Sequence, residues 1–130
     1  FAVLLVVVIV VFYYFLSSSS QVNNGCGKIA DEYDRYLCYQ EVAVSMKDAG
    51  VCKSIVENPY WKDSCFSFVA SVRGEWKLCD KVQDKSIKQA CLSDVISVTN
   101  NSKLCDKLDQ FNREHTPRCL SCWPDCPLID

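Results

Sequence analysis

CGKIADEYDRYLC (26–38), CKSIVENPYWKDSC (52–65), CDKVQDKSIKQAC (79–91) and CDKLDQFNREHTPRC (105–119) can be laid over one another. Each opens with Cys, continues with two polar or small residues and then Ile, Val or Leu, and closes with Cys. The openings recur every 26 or 27 residues. The joining pieces YQEVAVSMKDAGV, FSFVASVRGEWKL and LSDVISVTNNSKL are each 13 residues long, and a Val stands four residues after the closing Cys (Val42, Val69, Val95). A fixed period in this range marks a stacked helical array, whose units bury their apolar faces on one another.

Helix signals agree with the period. Asn58-Pro59 reads as an N-cap followed by Pro at the first helical position, and Asp84 as a second N-cap. Gly50, Gly74 and Asn100-Asn101 fall where helices should stop. Cys65, Val69, Val72 and Cys91, Val95, Val98 follow the i, i+4, i+7 spacing of a buried helical face. These signals predict long helices near 29–47, 60–73 and 85–99, alternating with short ones near 51–57, 75–83 and 102–110. The expected class is all-α: a disulfide-stapled array of αα-hairpin repeats over 26–119, with no sheet.

The arms of a hairpin place residues equidistant from the turn at one level. Cys52 lies six residues before Asn58 and Cys65 six after Pro59, while Cys79 and Cys91 balance about residue 85. Pairing Cys65 with Cys79 instead leaves a mismatch of four residues about Gly74, about 6 Å along a helix, against a total Cα separation of under about 7 Å in a disulfide. The expected bridges are therefore Cys26–Cys38, Cys52–Cys65, Cys79–Cys91 and Cys105–Cys119. Ten cysteines in 130 residues is an even and very high count. Thiols at this density persist as disulfides in an oxidising, extracytoplasmic setting. Free buried cysteines or metal ligands are the competing reading.

In the tail, three arrangements compete. His115, Cys119, Cys122 and Cys126 have the residue types of a zinc site. Cys119-Leu-Ser-Cys122 has the spacing of a redox pair. In the third, Cys119 closes the fourth segment and Cys122–Cys126 bridge a small Pro-rich cap over 120–130. Parity favours the third, because all ten cysteines are then used.

Ahead of the repeat, residues 1–16 (FAVLLVVVIVVFYYFL) are all apolar or aromatic. As a helix this run spans roughly 24 Å, somewhat short of a bilayer core of about 30 Å. Phe12-Tyr13-Tyr14-Phe15 resembles an interfacial aromatic belt. A secretory signal peptide would carry a basic stretch before the run and small residues at a cleavage site after it. Neither is present in the sequence, where Ser17–Ser20 follow instead. Residues 17–25 read as a solvated tether, with O-linked sugar on the Ser run as the alternative.

A net charge of −2 and a pI near 5.4 give no electrostatic case for nucleic acid. No hydrolase elbow, P-loop or metalloprotease helix is present, so the chain is not expected to be an enzyme, and no cofactor, metal or small-molecule substrate is called for. Tyr60, Trp61, Phe66, Phe68 and Trp76 read first as helix packing and second as a ligand patch. Asn100-Asn101-Ser102 is an N-glycosylation acceptor sequence on an expected turn.

The C-x-x-[ILV]…C pattern over 26–119 resembles short helical cysteine repeats of archaeal secreted or membrane-anchored proteins, which implies location and fold but no catalytic residue. A chain that begins at Phe1 with its hydrophobic run also resembles a processed type IV pilin. In that family a prepilin peptidase cuts ahead of the apolar segment, which then anchors the protein and later forms the filament core. Leu5 stands where bacterial pilins usually have Glu, and the outer domain is expected to be helical rather than β-rich; archaeal type IV-like filaments do not depend on that Glu. The resemblance implies a structural subunit of a cell-surface filament, membrane-anchored before assembly. It would self-assemble with copies of itself through residues 1–16, with Phe1, Leu4, Leu5, Val8, Ile9 and Phe12 on the contact face. The alternative is a single-pass membrane-anchored extracytoplasmic interaction module or accessory subunit.

Overall fold

A computed structural model describes residues 5–13 and 25–120. Within them the chain is helical and has no strand. Residues 5–13 form a first helix, α1. The array contains α2 (Glu32–Met46), α3 (Pro59–Arg73), α4 (Lys85–Thr99) and the short α5 (Gln110–Glu114). Between them run 3-10 turns at Val51–Ser54, Trp76–Lys81 and Ser102–Lys107, and a last one at Pro117–Cys119.

Every α-helix of the array starts on a side-chain cap. Asp31 accepts the Asp34 N–H at 2.9 Å, Asn58 that of Trp61 at 3.3 Å, Asp84 that of Ile87 at 2.9 Å and Asp109 that of Asn112 at 3.0 Å. Such a cap satisfies one of the four N–H groups that a helix start leaves open. The expected helix near 29–47 is trimmed accordingly, because Asp31 fixes its first turn. The return arms depart from the expected short α-helices. The second, third and fourth C-x-x-[ILV] openings lie in segments of four to six residues that wind as 3-10 turns, the form in which such short connectors are common. Each opening closes by the same bond, from the fourth residue's N–H to the first Cys carbonyl: Ile29 to Cys26, Ile55 to Cys52, Val82 to Cys79 and Leu108 to Cys105, at 3.1–3.2 Å. The apolar side chain is thereby turned inward, and Ile55, Val82 and Leu108 are all buried. In the fourth segment the expected short helix near 102–110 is a 3-10 turn over Ser102–Lys107, and a further short helix, α5, follows it.

The three long helices run side by side in the same direction. Their starts are adjacent: the Tyr33 and Trp61 rings meet at 5.3 Å, and Asp63 reaches the Asp84 N–H at 2.8 Å. Their ends are adjacent too: Arg73 Nη1 donates to the Lys47 carbonyl at 3.4 Å, and Gly74 abuts Thr99. The 3-10 arms return the chain between them. Val69, Val95, Ala43 and Ala70 face inward with no exposure. The apolar interior falls into two clusters, one around Tyr36, Tyr39, Ile55, Phe66 and Val69 and one around Leu92, Val95, Ile96, Leu104 and Leu108.

The four bridges are Cys26–Cys38, Cys52–Cys65, Cys79–Cys91 and Cys105–Cys119, with Cα separations of 5.5–5.7 Å. Cys52–Cys65 and Cys79–Cys91 each join a 3-10 arm to the long helix after it, as the balance of residues about the turn requires; Cys26–Cys38 joins the start of the first segment to α2, and Cys105–Cys119 joins the Ser102–Lys107 turn to the Pro117–Cys119 turn. Four intramolecular disulfides suit an oxidising compartment. Cys122 and Cys126, and with them the cap over 120–130 beyond its first residue, lie outside the described residues, as do Phe1, Leu4 and most of the 17–25 linker. No described helix is long and apolar enough to cross a membrane.

Helix ends bring one correction. Gly74 and Asn100 hold the left-handed conformation that ends α3 and α4, as expected, but α2 is ended by Lys47 (φ 53) and not by Gly50 (φ −62). Lys47 and Asp48 form the same closing motif as Gly74 and Glu75: Asp48 N–H donates to Ala43 and Glu75 N–H to Ala70, each at 2.9 Å. Gly50 serves proximity instead. The Asp48 carboxylate accepts its N–H at 2.8 Å, and a Cβ there would stand 2.9 Å from the same oxygen. A Lys in the left-handed region carries a penalty of roughly 1 kcal/mol that Gly avoids. Lys47→Gly is expected to stabilise the domain by about 0.5–1 kcal/mol, read as a higher melting temperature with unchanged circular dichroism.

Candidate functional site

The residues singled out from the sequence for self-assembly fall on α1. Leu5, Val8, Ile9 and Phe12 are all exposed, between 59 and 66%. So are their neighbours, from Val10 at 45% to Tyr13 at 73%. Val8, Ile9, Phe12 and Tyr13 line a shallow apolar groove of about 350 Å³. Apart from the Tyr13 hydroxyl these side chains cannot hydrogen-bond, and they surround the helix on every side, so water is a poor neighbour all round. Burying one such side chain is worth roughly 1.5–3 kcal/mol, which makes α1 the strongest site for association on the described chain.

A second feature recurs along the array and was not foreseen. Two residues before the closing Cys stands a side chain turned toward the next segment: Tyr36, Asp63 and Gln89. Asp63 is buried, and its Oδ2 accepts the N–H groups of Gln83 at 3.1 Å and Asp84 at 2.8 Å. Gln89 Oε1 accepts the Asp109 N–H at 2.8 Å, and its Nε2 donates to the Lys107 carbonyl at 3.4 Å. Each latch fastens one helix to the cap of the next and satisfies backbone groups that would otherwise be buried alone. The visible signal was a polar residue at an inward position of two aligned segments, WKDSC and IKQAC. At the first seam Tyr36 points its hydroxyl to Glu32 at 2.6 Å instead. That hydrogen bond, with desolvation and the charges of Glu32 and Glu57 behind it, raises the phenol above its ordinary value. A cleft of about 350 Å³ opens there between Arg35, Tyr36, Tyr39 and Glu57.

At the last seam Asp109 both receives the Gln89 latch and caps α5. The Asn112 backbone N–H, and after it the Asn112 side-chain amide at 2.8 Å, hold its carboxyl below the usual aspartate value. The sign is fixed by that direction. A depressed folded value means that the cap's contribution is present above the unfolded value and is lost as pH falls through the folded one. Proton-monitored titration is expected to place the Asp109 midpoint below that of a free Asp, with protection of the α5 amides declining over the same acid range.

The aromatic residues do not gather into one ligand patch. Phe66 is buried in the first core, and Trp61 packs among Tyr33, Tyr36 and Tyr60 with ring centroids 5.3–6.1 Å apart. Trp76 belongs to the second core, with Lys107 Nζ 4.1 Å over its ring, and Phe68 is exposed. In the tail, Cys119 is bridged to Cys105, which removes it from both the zinc and the redox readings. His115 stacks on Phe111 at 4.2 Å, its Nδ1 2.7 Å from the Phe111 carbonyl. Asn100 is exposed at the end of α4. Comparison with family models, curated proteins and solved structures gave no match.

Proposed function

We propose that the chain is a structural subunit of an extracellular type IV pilus-like filament. The apolar helices of many copies form the core, and the disulfide-stapled array lies outside. The observation that carries this reading is α1: nine consecutive apolar or aromatic residues in helical conformation, every one exposed. Such a helix must be covered on all sides, by identical neighbours or by lipid. The outer domain suits a durable sheath, because each bridge closes a local loop and makes the fold hard to unravel. In this reading the partners are copies of the same chain, and membrane lipid covers the helix before assembly. The array supplies packing and shielding, with no chemistry asked of it.

Sheared extracellular material is expected to contain long filaments of this subunit in negative stain. Val8→Asp, which would place an unpaired charge in the apolar core, is expected to abolish filaments while the array keeps its helical circular dichroism. The same helix can also be covered by lipid alone, which is the membrane-anchored interaction module or accessory subunit. Recovery only from detergent-extracted membranes, as a small discrete particle, would replace the filament with that second reading.

A further inference from the structure

Three corners of the array are equivalent: Lys47, Gly74 and Asn100, the left-handed residues that end the three long helices. Two of them touch the segment that follows. The Lys47 carbonyl accepts Arg73 Nη1 at 3.4 Å, and a Cβ on Gly74 would lie 2.8 Å from Thr99 Cγ2. A side chain at Gly74 would meet the end of α4, and at the first corner the Lys47 side chain is exposed but belongs to no acceptor sequence. The third corner differs. Asn100, Asn101 and Ser102 are all exposed, and among the described residues no further long helix follows α4. This open corner carries the one N-x-S/T sequence in the chain whose middle residue is not Pro.

The local backbone suits an acceptor. Asn prefers the left-handed region more than other side-chain-bearing residues do, so the corner is held without using the side-chain amide. Ser102 N–H donates to the Asn100 carbonyl at 3.2 Å, which puts the amide and the hydroxyl in one tight turn. The four disulfides suit the extracytoplasmic space in which N-x-S acceptors are modified.

We propose that Asn100 carries an N-linked oligosaccharide. The co-reactant is an oligosaccharide held on a lipid (pyro)phosphate. Asn100 Nδ2 forms the bond to the anomeric carbon as the bond from that carbon to the phosphate oxygen breaks. The lipid phosphate leaves with the electron pair, and the amide gives up one proton to a base of the transferase. The glycan projects from the open corner, clear of the seams, as a hydrated cover for the array. The inference does not depend on the filament reading.

The test is intact-mass measurement of the full chain from an N-glycosylating host. Wild type and Ser102→Thr are expected to show the excess mass of one oligosaccharide. Asn100→Gly, which keeps the left-handed corner, and Ser102→Ala, which leaves the corner residue untouched, are expected to lose it and to retain native circular dichroism. Ser102→Ala alone decides the matter if Asn100→Gly does not fold. A wild-type mass equal to that of the disulfide-bonded polypeptide would overturn the proposal, as would an excess that survives Ser102→Ala.

Discussion

Full reduction of the four described bridges is expected to unfold residues 26–119, with loss of far-ultraviolet helical signal at ordinary temperature. Each bridge closes a loop of 12–14 residues, worth on the order of 3 kcal/mol against the unfolded chain. Four such terms reach roughly 12 kcal/mol, within the 5–15 kcal/mol that is the whole stability of an ordinary domain. Nothing in the rest of the fold replaces them. The long helices are one layer thick, the return arms are 3-10 turns, and the interior is divided into two clusters. The bridges also fill the core. Cys52, Cys65, Cys79 and Cys91 have no exposure at all, whereas Cys105 is 8% exposed and Cys119 half-buried. Removing Cys79–Cys91 as a double Ala variant should therefore cost more than removing Cys105–Cys119, because a cavity term adds to the lost constraint. Urea midpoints of the two variants measure the order. A reduced chain that keeps a cooperative melt would show that packing alone holds the array.

What could be read in the sequence followed from its periodicity. The register of Cys, of the fourth-position Ile, Val or Leu, and of Val69 and Val95 comes from one repeated spacing, so pairing, helix spans and buried face came together. The caps Asn58, Asp84, Gly74 and Asn100 were legible because their residue types are selected by local geometry. Lys47 was not, since the closing motif at that corner is imposed by packing onto α3 and overrides the residue's preference. Gly50, three residues on, looked the better stop because its real role, making room for the Asp48 carboxylate, is a side-chain contact that no composition rule reports. The 3-10 winding of the return arms depends on how few residues lie between one bridge and the next cap. Tyr36, Asp63 and Gln89 escaped notice for a different reason. They share a position but not a chemistry, and only the turn that each faces explains the polar pair.

That polar pair carries the other large effect. Asp63→Ala is expected to destabilise the domain by about 3 kcal/mol, because it leaves two backbone N–H groups without an acceptor at a buried seam, each worth about 1–3 kcal/mol. Those groups belong to Gln83 and Asp84, where α4 begins, so the damage falls on the joint between segments and not on either segment's own core. In a quasi-one-dimensional array, stability is a sum of unit terms and nearest-neighbour terms. Weakening one neighbour term should split a single cooperative transition into two. Hydrogen exchange is then expected to show α4 and α5 opening before α2 and α3, which remain joined through the first cluster. Asp63→Asn keeps one acceptor oxygen in place and should lose only about 1 kcal/mol. Gln89→Ala removes the equivalent latch one seam further on, where fewer residues depend on it, and should loosen α5 alone. Equal losses for Asp63→Ala and Asp63→Asn would mean that the carboxylate's charge, rather than the oxygen it offers to two amides, holds the seam. One unbroken transition in all three variants would mean that the stack is coupled through its apolar contacts, with the latches serving only to satisfy the backbone.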